Sequence, residues 1–250
     1  MEQLIQRHNS MVARTPVQFR RYMYNKIDWS NRMIGLTGPR GVGKTTLVLQ
    51  RIKQQLQGEK VLYVNMEDFY FTTHRLVDFA GQLSKRGYKY LFADEIHRYP
   101  DWSKELKLIY DYYPDLCVVF TGSSVLDIRK GVSDLSRRAV MYHMQGLSFR
   151  EYLEYAHGIV VPVHSLEQIL QQNAEVGAIE HPLAYFAEYL HNGYYPFASE
   201  SGYIEKLKQI VSMSVDADIP AFAMMSYAVA YKLKRLLSII AESVPFKPNM

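Results

Sequence analysis

Short apolar runs alternate with helically spaced apolar positions through the first two thirds of the chain. Met33-Ile34-Gly35-Leu36-Thr37, Lys60 to Asn65, Tyr88 to Ala93, Leu116 to Thr121 and Ala139 to Met144 are brief, rich in aliphatic and aromatic side chains, and bounded by polar or turn residues. That length and composition predict buried strands. Between them, Thr46 to Gln57 places Leu47, Val48, Ile52 and Leu56 on one helical face, with Gly58 set to end it. A second helix is predicted from about Thr73 to Arg86, and a third from Trp102 to Tyr113, stopped by Pro114. Strands alternating with helices predict an α/β fold, a parallel sheet with helices on both faces.

From about Val160 the pattern turns helical only. The candidates are Ser165–Glu175, Leu183–His191, Gly202–Ser214 and Ala221–Ser243, broken at His181-Pro182, Gly193-Tyr194-Tyr195-Pro196 and Asp218-Ile219-Pro220. This predicts an α/β domain over 1–160 and a small all-α lid over 161–250. Neither an internal repeat nor a low-complexity segment interrupts the chain.

Composition narrows the class. With 250 residues and 48% hydrophobic side chains, the chain is long enough to bury a core without disulfides or metal. Cys117, its single cysteine, suits a reducing compartment. The longest stretch free of Asp, Glu, Lys and Arg is the thirteen residues from Ile219 to Tyr231, broken by Pro220, too short to span a bilayer. The start of the chain, Met1-Glu2-Gln3 and on to Arg7, lacks the apolar region of a signal peptide. The expectation is a soluble, cytoplasmic protein with no membrane partner.

The formal charge of +4 is unevenly spread. Residues 1–58 hold ten basic and two acidic side chains, whereas 59–161 and 162–250 are close to neutral or weakly acidic. Either the front carries a solvated basic face or it meets a phosphate-rich ligand.

Local motifs favour the ligand. Gly38-Pro39-Arg40-Gly41-Val42-Gly43-Lys44-Thr45, followed by Thr46, fits the P-loop pattern G-x-x-x-x-G-K-[ST] between a predicted strand and a predicted helix. Glycines at 38, 41 and 43 let successive backbone N–H groups turn toward an anion, and the helix N-terminus adds partial positive charge. Lys44 is placed for the β- and γ-phosphates, and the Thr45 hydroxyl for Mg²⁺. The run from Tyr88 ends in Asp94-Glu95, the Walker B pattern. Asp94 is the expected second Mg²⁺ ligand, and Glu95 the base that orients and deprotonates the attacking water. Asn25-Lys26-Ile27-Asp28 spells the guanine-reading N-K-x-D pattern but precedes the P-loop, where GTPases place it well after Walker B. Adenine is therefore the expected base, and ATP with Mg²⁺ the expected ligand pair.

The set Gly38 to Thr46, Tyr63 to Asp68, Ala93 to His97, Thr121-Gly122-Ser123-Ser124 and Gly146-Leu147-Ser148-Phe149-Arg150-Glu151-Tyr152-Leu153 resembles the prokaryotic AAA+-type ATPases related to archaeal ATPases. The likeness is strong over about 30–155 and continues weakly through Phe186 to Pro196. It implies a P-loop NTPase core followed by a helical lid. Full-length members usually continue into a winged helix and a nuclease-like region. This chain ends about where the winged helix would begin, which reads as a short or a truncated member. The resemblance implies a polar sensor at the end of the fourth strand, Thr121 or Ser123. It also aligns Arg138 with a family arginine, although Arg137 replaces the usual glycine and Gly146 the usual proline. Arg138 is either a contact to a γ-phosphate, including that of a neighbouring subunit, or half of a solvent-facing basic pair.

The remaining features carry less. No histidine pair has the spacing of a zinc or iron site. His97, Tyr110, Tyr112 and Tyr113 read best as packing residues, and Lys232, Lys234 and Arg235 are too few to indicate nucleic acid. Three functions stay open: hydrolysis of ATP to ADP and phosphate coupled to lid movement, a nucleotide-gated binding module with slow turnover, and a small-molecule kinase. A homo-oligomer and a protein or DNA partner reached through a missing C-terminal region are the partners these readings allow, besides ATP and ADP themselves.

Overall fold

A computed structural model of the chain describes residues 1–122, 135, 137–171, 179–218 and 227–243. In chain order its elements are α1 (Glu2–Arg14), α2 (Met23–Lys26), β1 (Met33–Thr37), α3 (Lys44–Gln55), β2 (Val61–Asn65), α4 (Tyr70–Thr73), α5 (Leu76–Lys85), β3 (Tyr90–Asp94), α6 (Trp102–Tyr112), β4 (Cys117–Gly122) and β5 (Val140–His143). They are followed by α7 (Phe149–His157), α8 (Leu166–Leu170), α9 (Pro182–Asn192), α10 (Tyr203–Met213) and α11 (Tyr227–Glu242).

The five strands form one sheet in the order β2-β3-β4-β1-β5, and every pairing is parallel. Parallel strands need helical crossovers, so both faces are covered and the central strands are apolar on both sides. β1 is buried along its whole length, and Phe92 and Phe120 from β3 and β4 are almost fully enclosed. One core cluster gathers Leu62, Phe79, Leu91, Leu106 and Phe120. The other gathers Ile34, Leu36, Leu47, Val48, Phe92 and Val119. Enclosing each such side chain contributes roughly 1.5–3 kcal/mol. This is the parallel sheet flanked by helices expected from the alternation of strands and helices, with all five strands in the predicted places.

α1 was not foreseen, and it closes one rim of the sheet. β2 is an edge strand, and its outward Tyr63 N–H donates 3.0 Å to Nδ1 of the buried His8 on α1. An edge N–H buried without a partner would be costly, and the histidine supplies the acceptor.

The helix predicted from about Thr73 to Arg86 is present as α5 but begins at Leu76, after the separate short α4. His74 and Arg75 are extended, with ψ of 130° and 141°. The free N–H groups at the start of α5 are taken by distant side chains, Leu76 by the Tyr99 hydroxyl at 3.1 Å and Val77 by Glu105 at 3.0 Å.

The chain forms two compact units, Met1–Ser199 and Glu200–Met250. The expected boundary near 160 lies inside the first unit, because α9 returns to the sheet domain: Leu147 N–H donates to the Tyr194 carbonyl at 2.8 Å, and the Tyr189 hydroxyl to the Leu147 carbonyl at 2.8 Å. The second unit holds α10 and α11. Among the described residues no helix is long and apolar enough to cross a membrane.

Candidate functional site

The loop after β1 is shaped by its glycines. Gly38, Gly41 and Gly43 have φ of 149°, 79° and 96°, a region that side chains with a Cβ rarely enter. At Gly38 space forbids one as well, since a Cβ there would lie 2.1 Å from the Met144 carbonyl oxygen. Gly43 is the N-cap of α3, so the helix begins at Lys44 with its first N–H groups facing the loop. This is the geometry of an anion cradle.

Lys44 is 4% exposed. Its Nζ donates to the carbonyls of Gly38 and Pro39 at 2.9 and 2.8 Å, so the ammonium curls back over the loop it serves. Burial pulls its pKa down to about 8, against the opposing pull of the Glu95 and Asp94 charges.

Asp94, at the carboxyl end of β3, is the hub of the site and is 2% exposed. Its Oδ2 accepts from Thr45 Oγ1 at 2.8 Å and from the Tyr63 hydroxyl at 2.7 Å, and its Oδ1 accepts from Thr121 Oγ1. Those donors come from α3, β2 and β4, so one carboxylate ties together three elements of the sheet domain. The same Thr121 oxygen accepts the Glu95 N–H at 3.2 Å, which links the two acidic residues through one hydroxyl. Burial, then the charge and hydrogen bond of Asp94, push the Tyr63 phenol well above its ordinary pKa, so it stays a donor.

Glu95 has φ of 54°. A left-handed glutamate is uncommon, and such residues persist where surrounding contacts hold them. His97, 2% exposed at its side chain, brings Nδ1 to 3.5 Å from Glu95 Oε2. The packing role expected for His97 thus comes with a direct approach to the candidate base.

The structure brings Gly38 to Thr46, Asp94, Glu95 and Thr121 to the carboxyl edge of the sheet. Ser123 lies outside the described residues. Arg138 stands elsewhere: it precedes β5, whose first residues pair with Ile34 near the start of β1, at the rim opposite the P-loop of its own chain. There it forms a two-point contact with Asp111 at 2.9 and 3.0 Å.

The front-loaded positive charge is only partly a phosphate feature. Arg7 pairs with Asp68, Arg20 bonds Gln54, Arg32 lies 3.5 Å over the Tyr110 ring, and Arg51 lies over Trp29. Arg21 is buried against Glu151. Sequence reasoning missed Tyr63 and Arg21 as site-supporting residues. Tyr63 sits in a strand whose pattern shows only burial, and nothing local marks its hydroxyl as reaching the neighbouring strand's aspartate.

The segment that contains most of this site, residues 30–153, matches a protein-family model described as an AAA domain. The uncharacterized protein MJ1637 of Methanocaldococcus jannaschii is 28% identical over 266 residues, an alignment covering 91% of this chain and 56% of that protein. The chain thus spans little more than half the length of that relative. Among solved structures, it is similar to the Walker-type ATPase of Pyrococcus abyssi (13% identity, TM-score 0.45, 92% of this chain and 78% of that one). It is also similar to the S. cerevisiae Hsp104 in complex with casein (20% identity, TM-score 0.46, 82% and 40%). The matched segment contains the Gly38–Thr46 loop, Asp94, Glu95 and Thr121, so the likeness and the candidate site fall on the same stretch of chain.

Proposed function

We propose that the chain binds ATP with Mg²⁺ at the Gly38–Thr46 loop and hydrolyses it to ADP and phosphate, with the cycle moving the helical segments or a bound partner. The observation that carries the reading is the convergence of Thr45, Asp94, Thr121 and Glu95 beside an anion cradle whose lysine is already buried. The donor set fits the metal: the Thr45 hydroxyl and the Asp94 carboxylate are hard oxygen ligands 2.8 Å apart, next to the phosphate cradle. When bound there, Mg²⁺ supplies charge neutralisation to the β- and γ-phosphate oxygens.

The chain's own residues do the remaining work. The loop N–H groups and Lys44 hold the phosphates against water. Thr121, bonded to both acidic residues, fixes the direction in which Glu95 leaves the strand. Glu95 accepts a proton from the water that attacks the γ-phosphorus. Arg138, at the far rim, would serve the nucleotide of a second copy and not its own. A homo-oligomer and a protein or DNA partner remain compatible with this reading.

One observation favours a slower variant of the same chemistry. The buried His97 lies 3.5 Å from the Glu95 carboxylate, so a protonated His97 would pair with the base until the site rearranges. Turnover would then be gated, and the protein would act as an ATP switch. Single-turnover hydrolysis with Mg²⁺ tests both: release of free phosphate within seconds supports the ATPase, a long-lived bound ATP the switch. A phosphorylated metabolite in place of phosphate overturns both in favour of a kinase.

A further inference from the structure

Arg21 precedes the P-loop by a full strand, yet its guanidinium is spent on the loop. It is 7% exposed. Nη1 donates to the Val42 carbonyl, and Nη2 to the carbonyls of Gln145 and Gly146 at 2.8 and 2.7 Å. Nε and Nη2 also reach Glu151 at 2.8 and 3.3 Å. Val42 is the fully buried centre of the P-loop, and Gln145-Gly146 is the turn between β5 and α7.

Glu151 is equally committed. It closes the capping box of α7 by accepting from Ser148 N–H at 3.0 Å, and it accepts the Tyr22 N–H at 2.8 Å. Burial pushes its carboxyl pKa up, but the hydrogen bonds from Arg21, Ser148 and Tyr22, with the Arg21 charge, outweigh this and hold it below its ordinary value. The turn continues into the helical hairpin, because a Cβ on Gly146 would meet the Tyr194 carbonyl at 2.5 Å and Leu147 N–H bonds that same carbonyl.

We infer that Arg21 is a positioning residue that couples the P-loop to the α7–α9 hairpin through one guanidinium fork. A carbonyl engaged by a cation cannot turn into the anion cradle, so the fork holds Val42 in the orientation that leaves the loop N–H groups free for phosphate. The same fork grips Gln145-Gly146, so closure of the loop on a ligand and the seating of α7 and α9 become one event. Nε, Nη1 and Nη2, fixed in one plane, meet the Val42, Gln145, Gly146 and Glu151 oxygens at once. Lysine, with a single compact ammonium, cannot reproduce that set.

This inference rests on the nucleotide reading above, and its test separates the two. Wild type, Arg21→Lys and Glu151→Gln are compared at a temperature where circular dichroism shows each folded. Fluorescent ADP measures affinity, and amide hydrogen exchange measures nucleotide-linked protection over 145–155 and 185–195. The expected result is ADP affinity reduced by about tenfold or more in Arg21→Lys. At saturating ADP its P-loop should be protected while protection of α7 and α9 is lost. Glu151→Gln, which keeps the shape and removes the charge, should show the same loss of coupling with a smaller change in affinity. If both variants melt earlier but bind ADP as wild type does and protect the hairpin equally, Arg21 is a core ion pair only and the inference falls. Should Arg21→Lys not fold, Glu151→Gln decides alone by the same criterion. A wild-type protein that binds no ADP overturns the nucleotide reading, and the coupling with it, before any variant is compared.

Discussion

The Tyr63 phenol donates a 2.7 Å hydrogen bond to Asp94, from the edge strand to the carboxylate at the end of its neighbour. It shares the acceptor oxygen with Thr45. Tyr63→Phe removes one donor to a buried charge, which should lower stability by about 1.5–3 kcal/mol. It should also raise the Mg²⁺ concentration needed for half-maximal nucleotide binding, because Asp94 loses a fixed orientation. Thermal melting and a Mg²⁺ titration check this, and unchanged values in both would remove Tyr63 from the site.

Lys44→Ala and Glu95→Gln should separate binding from chemistry. The first removes a charged donor to phosphate and should weaken nucleotide binding by about 100-fold. The second keeps the shape of the site and should bind as wild type while turnover drops by roughly 10²–10⁴-fold. Equal ATP affinity in wild type and Lys44→Ala would sink the site assignment.

Nucleotide affinity should depend on pH through Lys44. Burial favours the neutral amine, so the free protein loses the Lys44 proton near pH 8. A phosphate beside Nζ favours the ammonium and raises that pKa. Binding therefore takes up no proton at Lys44 below about pH 8. Above it, binding must draw one in, and affinity should fall by about tenfold per pH unit. The sign for the free fold is opposite: its stability rises as pH climbs from the folded toward the unfolded value. Calorimetry in buffers of different ionisation enthalpy would detect the proton, and a pH-independent affinity up to pH 10 would contradict the assignment.

Two glycines offer a matched control. Both have positive φ, but a Cβ on Gly38 strikes the Met144 carbonyl, whereas nothing lies within 4 Å of one on Gly58. Gly58→Ala should cost about 1–2 kcal/mol of backbone strain and leave nucleotide binding intact. Gly38→Ala should cost more and abolish binding, since β1 and the turn after β5 must part to admit the methyl group. Chemical denaturation and fluorescent ADP titration report both.

Arg138→Ala should leave the melting temperature unchanged within error, because its pairing with Asp111 is at the surface. If it serves another copy's nucleotide, specific ATPase activity of the wild type should climb with protein concentration and that of the variant should stay flat. Activity independent of concentration in both would confine Arg138 to its own surface.

The parts of this molecule that were legible in the sequence are those set by local chemistry. Met33 to Thr37 ends where Gly38-Pro39 must turn, and the strand stops there. The P-loop and the Asp94-Glu95 pair carry their geometry in consecutive residues. What was not legible depends on partners far along the chain. The break between α4 and α5 is held by Tyr99 and Glu105, more than twenty residues away. Arg21 finds Glu151 across 130 positions. α7 carries a local signal, the Ser148-x-x-Glu151 capping box. α1 shows apolar spacing at Leu4, Ile5 and Met11, with the buried His8 on the same face, but its place on the sheet edge needed the fold itself.

His8 has one more consequence. As an acceptor for Tyr63 N–H it must be neutral, and its burial lowers its pKa. As pH falls below the unfolded histidine's value, the unfolded chain takes up the proton first and this anchor weakens. Once protonated, Nδ1 would present a hydrogen to a hydrogen, and α1 would lift from β2. The exposed row of N–H and C=O groups is a template for another chain's strand. Mild acid should therefore make this protein self-associate before it unfolds, because α1 is what covers that edge of the sheet.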